Sequence, residues 1–327
     1  MATADPYKSE DTQLAVGVED EQGEAVTPTR AFGKVAEDAT PPDPEVDWQP
    51  IRVIGGDRRV FQKHEGQREY QGGDIPVILT DGAPIAYALG AEEFTEDEPE
   101  AGVNEHVLTP KLDGKPPGQT IEAVYFGRGG GTDFVRTFNG CVPNSLELSA
   151  NNDDELTATL SYWAQGVDPG DSPTTGISVH DRNPWLFADA ASQLELFGTS
   201  FARFIDFSLS VENNLEEGRY IEPDAGRDPF EITYGNVDFD LSATIAIEDD
   251  ALYQELVDPT AGGFTSTIAF ERPNGDTLTI EAKECNFNSA PHELPADSTT
   301  IEVETSMTPE DLVITVEDSN STAAYLA

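Results

Sequence analysis

The side chains able to do chemistry are few in this 327-residue chain, and their spacing argues against a catalytic or metal centre. Four histidines, His64, His106, His180 and His292, lie far apart, with no H-x-x-x-H pair to set two imidazoles on one helix face. The only cysteines, Cys141 and Cys285, form no C-x-x-C ligand pair. Each follows an alternating apolar stretch and reads as a small buried hydrophobe, with an interdomain disulfide as the alternative. Arg128-Gly129-Gly130-Gly131 lacks the Lys-Ser/Thr of a phosphate loop, and a strand pattern follows it, so it reads as a hairpin tip. Asp168 and Asp171 lack the EF-hand spacing and read as a solvated turn. Asn320-Ser321-Thr322 is a glycosylation sequon of a kind that arises often by chance. The expectation is a protein that is no enzyme and holds no metal or cofactor.

Composition narrows the field further. Sixty-three acidic residues against 18 basic ones leave a net charge of −45. Such a field pushes a compact chain apart in dilute buffer, and molar salt, with a Debye length of about 3 Å, relieves the repulsion. The acid is spread along the chain rather than held in a tail, which points to a halophilic source rather than to a nucleic-acid mimic. Phosphate binding needs clustered Lys and Arg, so direct DNA binding is not expected. One basic stretch interrupts the acid: Arg52, Arg58, Arg59, Lys63 and Arg68. A solvated loop is its plain reading; against the acidic background a contact between subunits is preferred. No apolar run reaches the ~20 residues a bilayer requires, and residues 1–24 carry no signal-peptide core, so a soluble, non-secreted protein is expected.

The pattern that organises the chain is a repeat. Val124-Tyr125-Phe126, the glycine break, Phe134 and Cys141-Val-Pro-Asn144-Ser145 match, without a gap, Ile268-Ala269-Phe270, Asn274-Gly275, Leu278 and Cys285-Asn-Phe-Asn288-Ser289. Cys141, Asn144 and Ser145 thus fall on Cys285, Asn288 and Ser289. Alternating strands follow both copies: Leu156-Thr-Ala158-Thr-Leu160, and, shifted by one residue, Ile301-Glu-Val303-Glu-Thr305.

Around this repeat the chain divides into an extended arm (residues 1–28), a first β domain (29–168), a linker (169–190), a second β domain (191–316) and a flexible tail (317–327). Residues 29–50 read as loop, 51–54 and 73–79 as strands, and 84–90 as a short helix opened by Pro84 and closed by Gly90. Residues 92–105 read as an acidic loop. In the second half, 193–197 and 201–211 read as a hairpin about Gly198-Thr199, 239–247 as a strand and 249–256 as an Asp-capped helix.

These residues resemble a family. Gly33-Lys-Val-Ala-Glu37-Asp-Ala-Thr40-Pro41-Pro42 is similar to the G-x-G-x-E-x-T-x-G-T-P opening of tail tube proteins of long-tailed phages, with two glycines absent. Leu194-Glu-Leu196-Phe-Gly198-Thr199, with Phe207-Ser-Leu209-Ser-Val211-Glu-Asn213-Asn214-Leu215, resembles its "strand, Gly-Thr, strand, S-x-S-x-x-N-N-L" block. The Cys141 and Cys285 segments resemble its closing C-x-x-N-S strand. The likeness covers roughly residues 29 to 315.

The resemblance implies a mainly β fold of two tandem tail-tube-like sandwich or barrel domains, each with a short flanking helix. It implies a structural virion protein of a long-tailed phage or archaeal virus, made in the host cytoplasm. Its rings would stack into a tube for DNA ejection, beside tape-measure, terminator and distal tail proteins. DNA would pass without specific binding, and no membrane is involved. Tandem copies would need three chains for a pseudo-hexameric ring. Unpaired sheet edges are liabilities that ring closure removes. The alternatives are another ring-forming tail part, such as a distal tail or terminator protein, and a halophilic surface β-sandwich that binds a ligand.

Overall fold

The computed structural model of the chain describes all residues except 1–4, 37–38, 55–59, 61, 130, 152–153, 202–203, 221–225, 247–249, 290–300 and 322. Of the residues singled out above, Glu37, Arg58, Arg59, Gly130, His292 and Thr322 lie outside the described ones.

The first copy opens with β1 (Thr12–Val18), whose Ala15 and Val16 are fully buried, so residues 12–18 are not the extended arm expected there. Short strands β2 (Arg30–Ala31) and β3 (Lys34–Val35) follow. Next comes a separate hairpin of β4 (Glu45–Ile51) and β5 (Gln62–Glu69). The strand expected at 51–54 is therefore displaced into residues read as loop. Pro44 and Pro50 suggest turns, but an edge hairpin tolerates a residue with no N–H to donate.

β6 (Gly73–Ile78) leads into α1 (Ala83–Leu89). Pro84 stands in its first turn, where a missing N–H costs nothing, and Gly90 closes it in the left-handed region at φ 79°. β7 (Gly90–Thr95) and β8 (Asn104–Pro110) pair, so the acidic loop expected over 92–105 shrinks to its middle. β9 (Gln119–Tyr125) and the long β10 (Phe134–Asn151) make the first repeated hairpin. β11 (Thr157–Trp163) and β12 (Gly166–Gly170) both return along β10.

The second copy begins with β13 (Ala190–Leu196) and β14 (Thr199–Phe201), which turn at Phe197-Gly198. β15 (Phe204–Glu212) does not fold back on them as the hairpin reading had it; it pairs with β10 and with β18 (Asp238–Ala246). A second small hairpin, β16 (Glu216–Gly218) with β17 (Glu231–Thr233), lies between β15 and β18. α2 (Ala251–Val257), β19 (Phe264–Glu271), β20 (Thr277–Ser289), β21 (Glu302–Thr308) and β22 (Asp311–Asp318) complete the chain. Asp250 stands at the N-cap of α2, but its carboxylate accepts from the Gln254 side chain rather than from a backbone N–H.

The two copies share a wiring plan. β1–β2, β1–β9, β3–β6, β6–β11, β9–β10, β10–β11 and β10–β12 recur as β13–β14, β13–β19, β15–β18, β18–β21, β19–β20, β20–β21 and β20–β22. All are antiparallel and belong to one connected barrel-type network. A central sheet runs β3–β6–β11–β10–β15–β18–β21–β20, and the β10–β15 ladder is its seam between copies. Each long strand bends from an outer sheet into this central one.

Apolar faces of the sheets close on a single core running through both copies, from Val16 and Ile75 to Phe270 and Val316. Burying each such side chain contributes about 1.5–3 kcal/mol. The 169–190 segment is anchored in it by fully buried Trp185 and by Phe187. The 317–327 segment, expected to be loose, is held by buried Tyr325. Neither anchor has a periodic neighbour in sequence, so neither stands out before the fold is known.

Candidate assembly surfaces

The C-x-x-N-S segments mark where each long strand changes sheets. Cys141 and Cys285 are fully buried, and burial pushes both thiols up, Cys285 to about 11. Both remain free, the Cys285 thiol donating to Ala282 O at 3.3 Å. Asn144 and Asn288 are each the extra residue of a bulge against β11 or β21, with Ser145 and Ser289 resuming the ladder. Beside the first bulge, the buried Asn213 amide donates to Ala88 O (2.9 Å) and Pro143 O (3.0 Å). It thereby ties the end of α1 to the seam.

Beyond the bulges, one face of the central sheet packs on the core and the other is open. Directly opposed residues on the open face form rows: Thr157, Ser149, Ser208, Ser242 and Ser306 in one, Thr159, Glu147, Ser210 and Asp240 in the next. A third row is Ser161, Ser145, Glu212 and Asp238. Burial, and then the charge of Asp238 opposite, push the Glu212 carboxyl above its ordinary range. The first row continues through Ile78 of β6 to Lys34 of β3, whose ammonium donates to Arg182 O at 2.6 Å. Among the described residues of β11, β15, β18, β21 and the Ser145–Asn151 end of β10, this face carries neither Lys nor Arg.

The basic stretch follows the first small hairpin. Arg52 and Lys63 are exposed, Lys63 opposite Pro50 in the ladder. Arg68 bonds Glu65 at 2.9 Å, lies 3.7 Å from Asp228, and donates its backbone N–H to Arg227 O. Arg227 in turn meets Glu65 at 2.6 Å, so the two small hairpins brace each other within the chain. Trp48, 56% exposed, and Ile51 stand out from the hairpin into solvent.

A polar knot pins the chain's end. Arg30 meets Asp81 (2.8 Å), Arg182 meets Asp318 (3.0 Å), and Arg272 donates to Thr80 O (2.7 Å). Burial favours the neutral acid at Asp276, but bonds from Ser319 and Asn274 and the Arg272 charge outweigh it and hold the carboxyl below its ordinary range. Nearby, His106 hydrogen-bonds Glu92 (2.6 Å) and Ser321 (2.7 Å), its ring stacked 4.0 Å from Tyr325. The Ser–His–Glu order evokes a hydrolase relay. Here, however, Glu92 also accepts the backbone N–H groups of Tyr325 and Leu326, and the imidazole is fully buried. The cluster acts as a clasp for the C-terminal segment. Sequence reading missed it because its members lie far apart in the chain.

Among the described residues no group of His, Cys, Asp and Glu could hold a metal ion, and no helix is long and apolar enough to cross a membrane. What stands out is an all-antiparallel scaffold with a duplicated sheet and a largely polar open face, the makings of a structural protein. Comparison with protein families agrees: the model described as "Phage tail tube protein" matches residues 9–315. The chain belongs to that family and is thus a structural component of a viral tail. No curated protein matches it.

Proposed function

We propose that three copies of this chain close into a ring, and that rings stack into the tail tube through which viral DNA is ejected. The observation that carries the reading is the β10–β15 seam. It joins equivalent sheets edge to edge within one chain, leaving β3 at one margin and the end of β20 at the other. By the repeat, β3 is the counterpart of β15, and the Ser289 end of β20 that of the Ser145 end of β10. Repeating the seam between chains satisfies both margins, and a head-to-tail contact of this kind gives a ring when it closes.

The open face then lines the lumen. Carboxylates in these rows repel a phosphate backbone, and with Lys34 at the β3 margin bonded to Arg182 O the wall offers DNA little positive charge to release counterions against. Passage is non-adhesive, and no catalysis is involved. The exposed hairpin with Trp48, together with Arg52 and Lys63, suits contacts between rings. Tape-measure, distal tail and terminator proteins are the other partners, in a virion assembled in the host cytoplasm. The −45 charge suits a virus of an extreme halophile, where apolar packing and strand pairing supply the cohesion. Electron microscopy of the purified protein in molar salt tests this. Hollow tubes or stacked rings are expected; a lone ring that never stacks favours a terminator, and persistent monomers contradict assembly.

A further inference from the structure

The segment that stitches the internal seam has a counterpart near residue 7, and this counterpart is far more exposed. Ahead of the second copy, Trp185 lies two residues before a short 3-10 turn, Phe187–Asp189, that opens into β13. Ahead of the first copy, Tyr7 lies two residues before another, Ser9–Asp11, that opens into β1. The turns that follow the two outer hairpin strands correspond as well. The Arg272 guanidinium sits 3.5 Å from the Trp185 ring centroid, and Arg128, its counterpart, holds the arm through Glu10 and Asp11.

Trp185 does its stitching through the backbone. Its N–H donates to Leu79 O (3.2 Å) and its C=O accepts the Leu156 N–H (2.8 Å), while Phe187 N–H donates to Asp154 O (3.1 Å). Glu155 and Leu186 form a β-bridge, so Leu156 and Trp185 face each other across the seam. Both are completely buried. Their counterparts are not: Tyr7 is 45% exposed and Ile301 is 37% exposed. Tyr7 is already held in place, its ring 5.9 Å from Tyr125 and its hydroxyl donating to Thr132 O at 2.9 Å. Among the described residues nothing pairs with its backbone N–H or C=O. Between it and the β3 margin lies a groove of about 890 Å3, lined by Leu14, Val35, Ala36, Ala39 and Val179.

We propose that this groove receives the Ile301 end of β21 from a second copy of this chain, with Tyr7 taking the role that Trp185 plays internally. This contact rests on the ring reading above and gives it a place and partner residues. Positions that are buried where the chain supplies its own partner are exposed where the next chain must supply one. The contact is heterologous: each chain offers a groove at one margin and an Ile301 end at the other. An apolar contact of this kind also survives the brine that screens ion pairs.

Two single-face variants test it in the full chain. Ala36→Arg fills the groove and keeps the Ile301 end; Ile301→Arg spoils that end and keeps the groove. Wild-type protein in molar salt is expected to form rings, and each variant alone to stay monomeric with wild-type circular dichroism. Mixed in equal amounts, the variants should form a one-to-one heterodimer, because only one junction remains usable. Rings from either variant alone, or a mixture that stays monomeric while wild type assembles, would overturn the proposal and leave the ring reading standing. Wild-type protein that never assembles would overturn both. As a second check, rings assembled from a Tyr7→Cys, Ile301→Cys double variant should give interchain disulfides on oxidation, since facing strand residues lie within disulfide reach. Rings that form no such crosslink count against it.

Discussion

Asn144 and Asn288 occupy the same break in two separate ladders. β10 slips against β11 between Pro143 and Ser145, and β20 slips against β21 between Phe287 and Ser289. A bulge bends its strand and raises the local twist, which is how one continuous strand serves first an outer sheet and then the central one. Surroundings distinguish the two. Asn144 lies at the seam, where its side-chain oxygen accepts the Leu215 N–H (3.1 Å) and its carbonyl the Asn213 N–H (2.8 Å). Asn288 lies at a margin and, among the described residues, its side chain donates to the exposed Thr308 hydroxyl.

Substitution at the seam should therefore cost more than at the margin. Asn213→Ala removes the amide donors to Ala88 O and Pro143 O, leaving Ala88 O with only the longer bond from the Tyr234 hydroxyl (3.4 Å), and is expected to lower stability by about 1–3 kcal/mol. Asn288→Ala should cost under about 1 kcal/mol in the isolated chain. Urea unfolding of both variants checks the contrast, and equal losses would refute it.

Burial keeps both thiols protonated, since Cys141 is pushed well above its ordinary range and Cys285 to about 11. Neither should react with a thiol-specific reagent at pH 8 in the folded state, and both should react in denaturant. Rapid labelling of native protein would show that one of the long strands opens readily.

Asp276 makes stability depend on pH with a definite sign. Burial acts to raise its pKa, but bonds from Ser319 and Asn274 and the charge of Arg272 hold it below the model-peptide value of 3.8. Its contribution is present above that value and is lost as pH falls through the folded-state value. Asp276→Asn turns an amide N–H2 toward these donors and should destabilise by about 1–3 kcal/mol at pH 7. The gap between variant and wild type should narrow below pH 4. A gap constant from pH 7 to pH 3 would contradict the assignment.

Charge repulsion spread over the surface predicts a salt response. Shortening the Debye length from about 10 Å at 0.1 M to about 3 Å at 1 M should raise the thermal midpoint of the chain at −45. Scanning calorimetry across that range would expose a flat or falling response.

How much of this was legible in the sequence depended on how locally each feature is encoded. The hairpins of β9–β10 and β19–β20, the C-x-x-N-S breaks and α1 between Pro84 and Gly90 are written in short-range pattern, and sequence reading places them. Alternation through 201–211 and 239–247 also marks strands, but not which of their faces stays open. The departures involve partners distant in sequence. β15 alternates like a hairpin strand, yet its neighbours are β10 and β18. β1 looks like an acidic arm until β9 pairs with it along its whole length. Trp185, Phe187 and Tyr325 are aromatic anchors in polar segments, and only the folded chain shows what they fill.

Counting the chains in a ring by native mass measurement, on particles assembled in molar salt, tests the account most directly. Three per ring is the number predicted if each chain contributes two equivalent sheets to one closed wall. Six per ring, or a symmetric dimer joined by like faces, would contradict it.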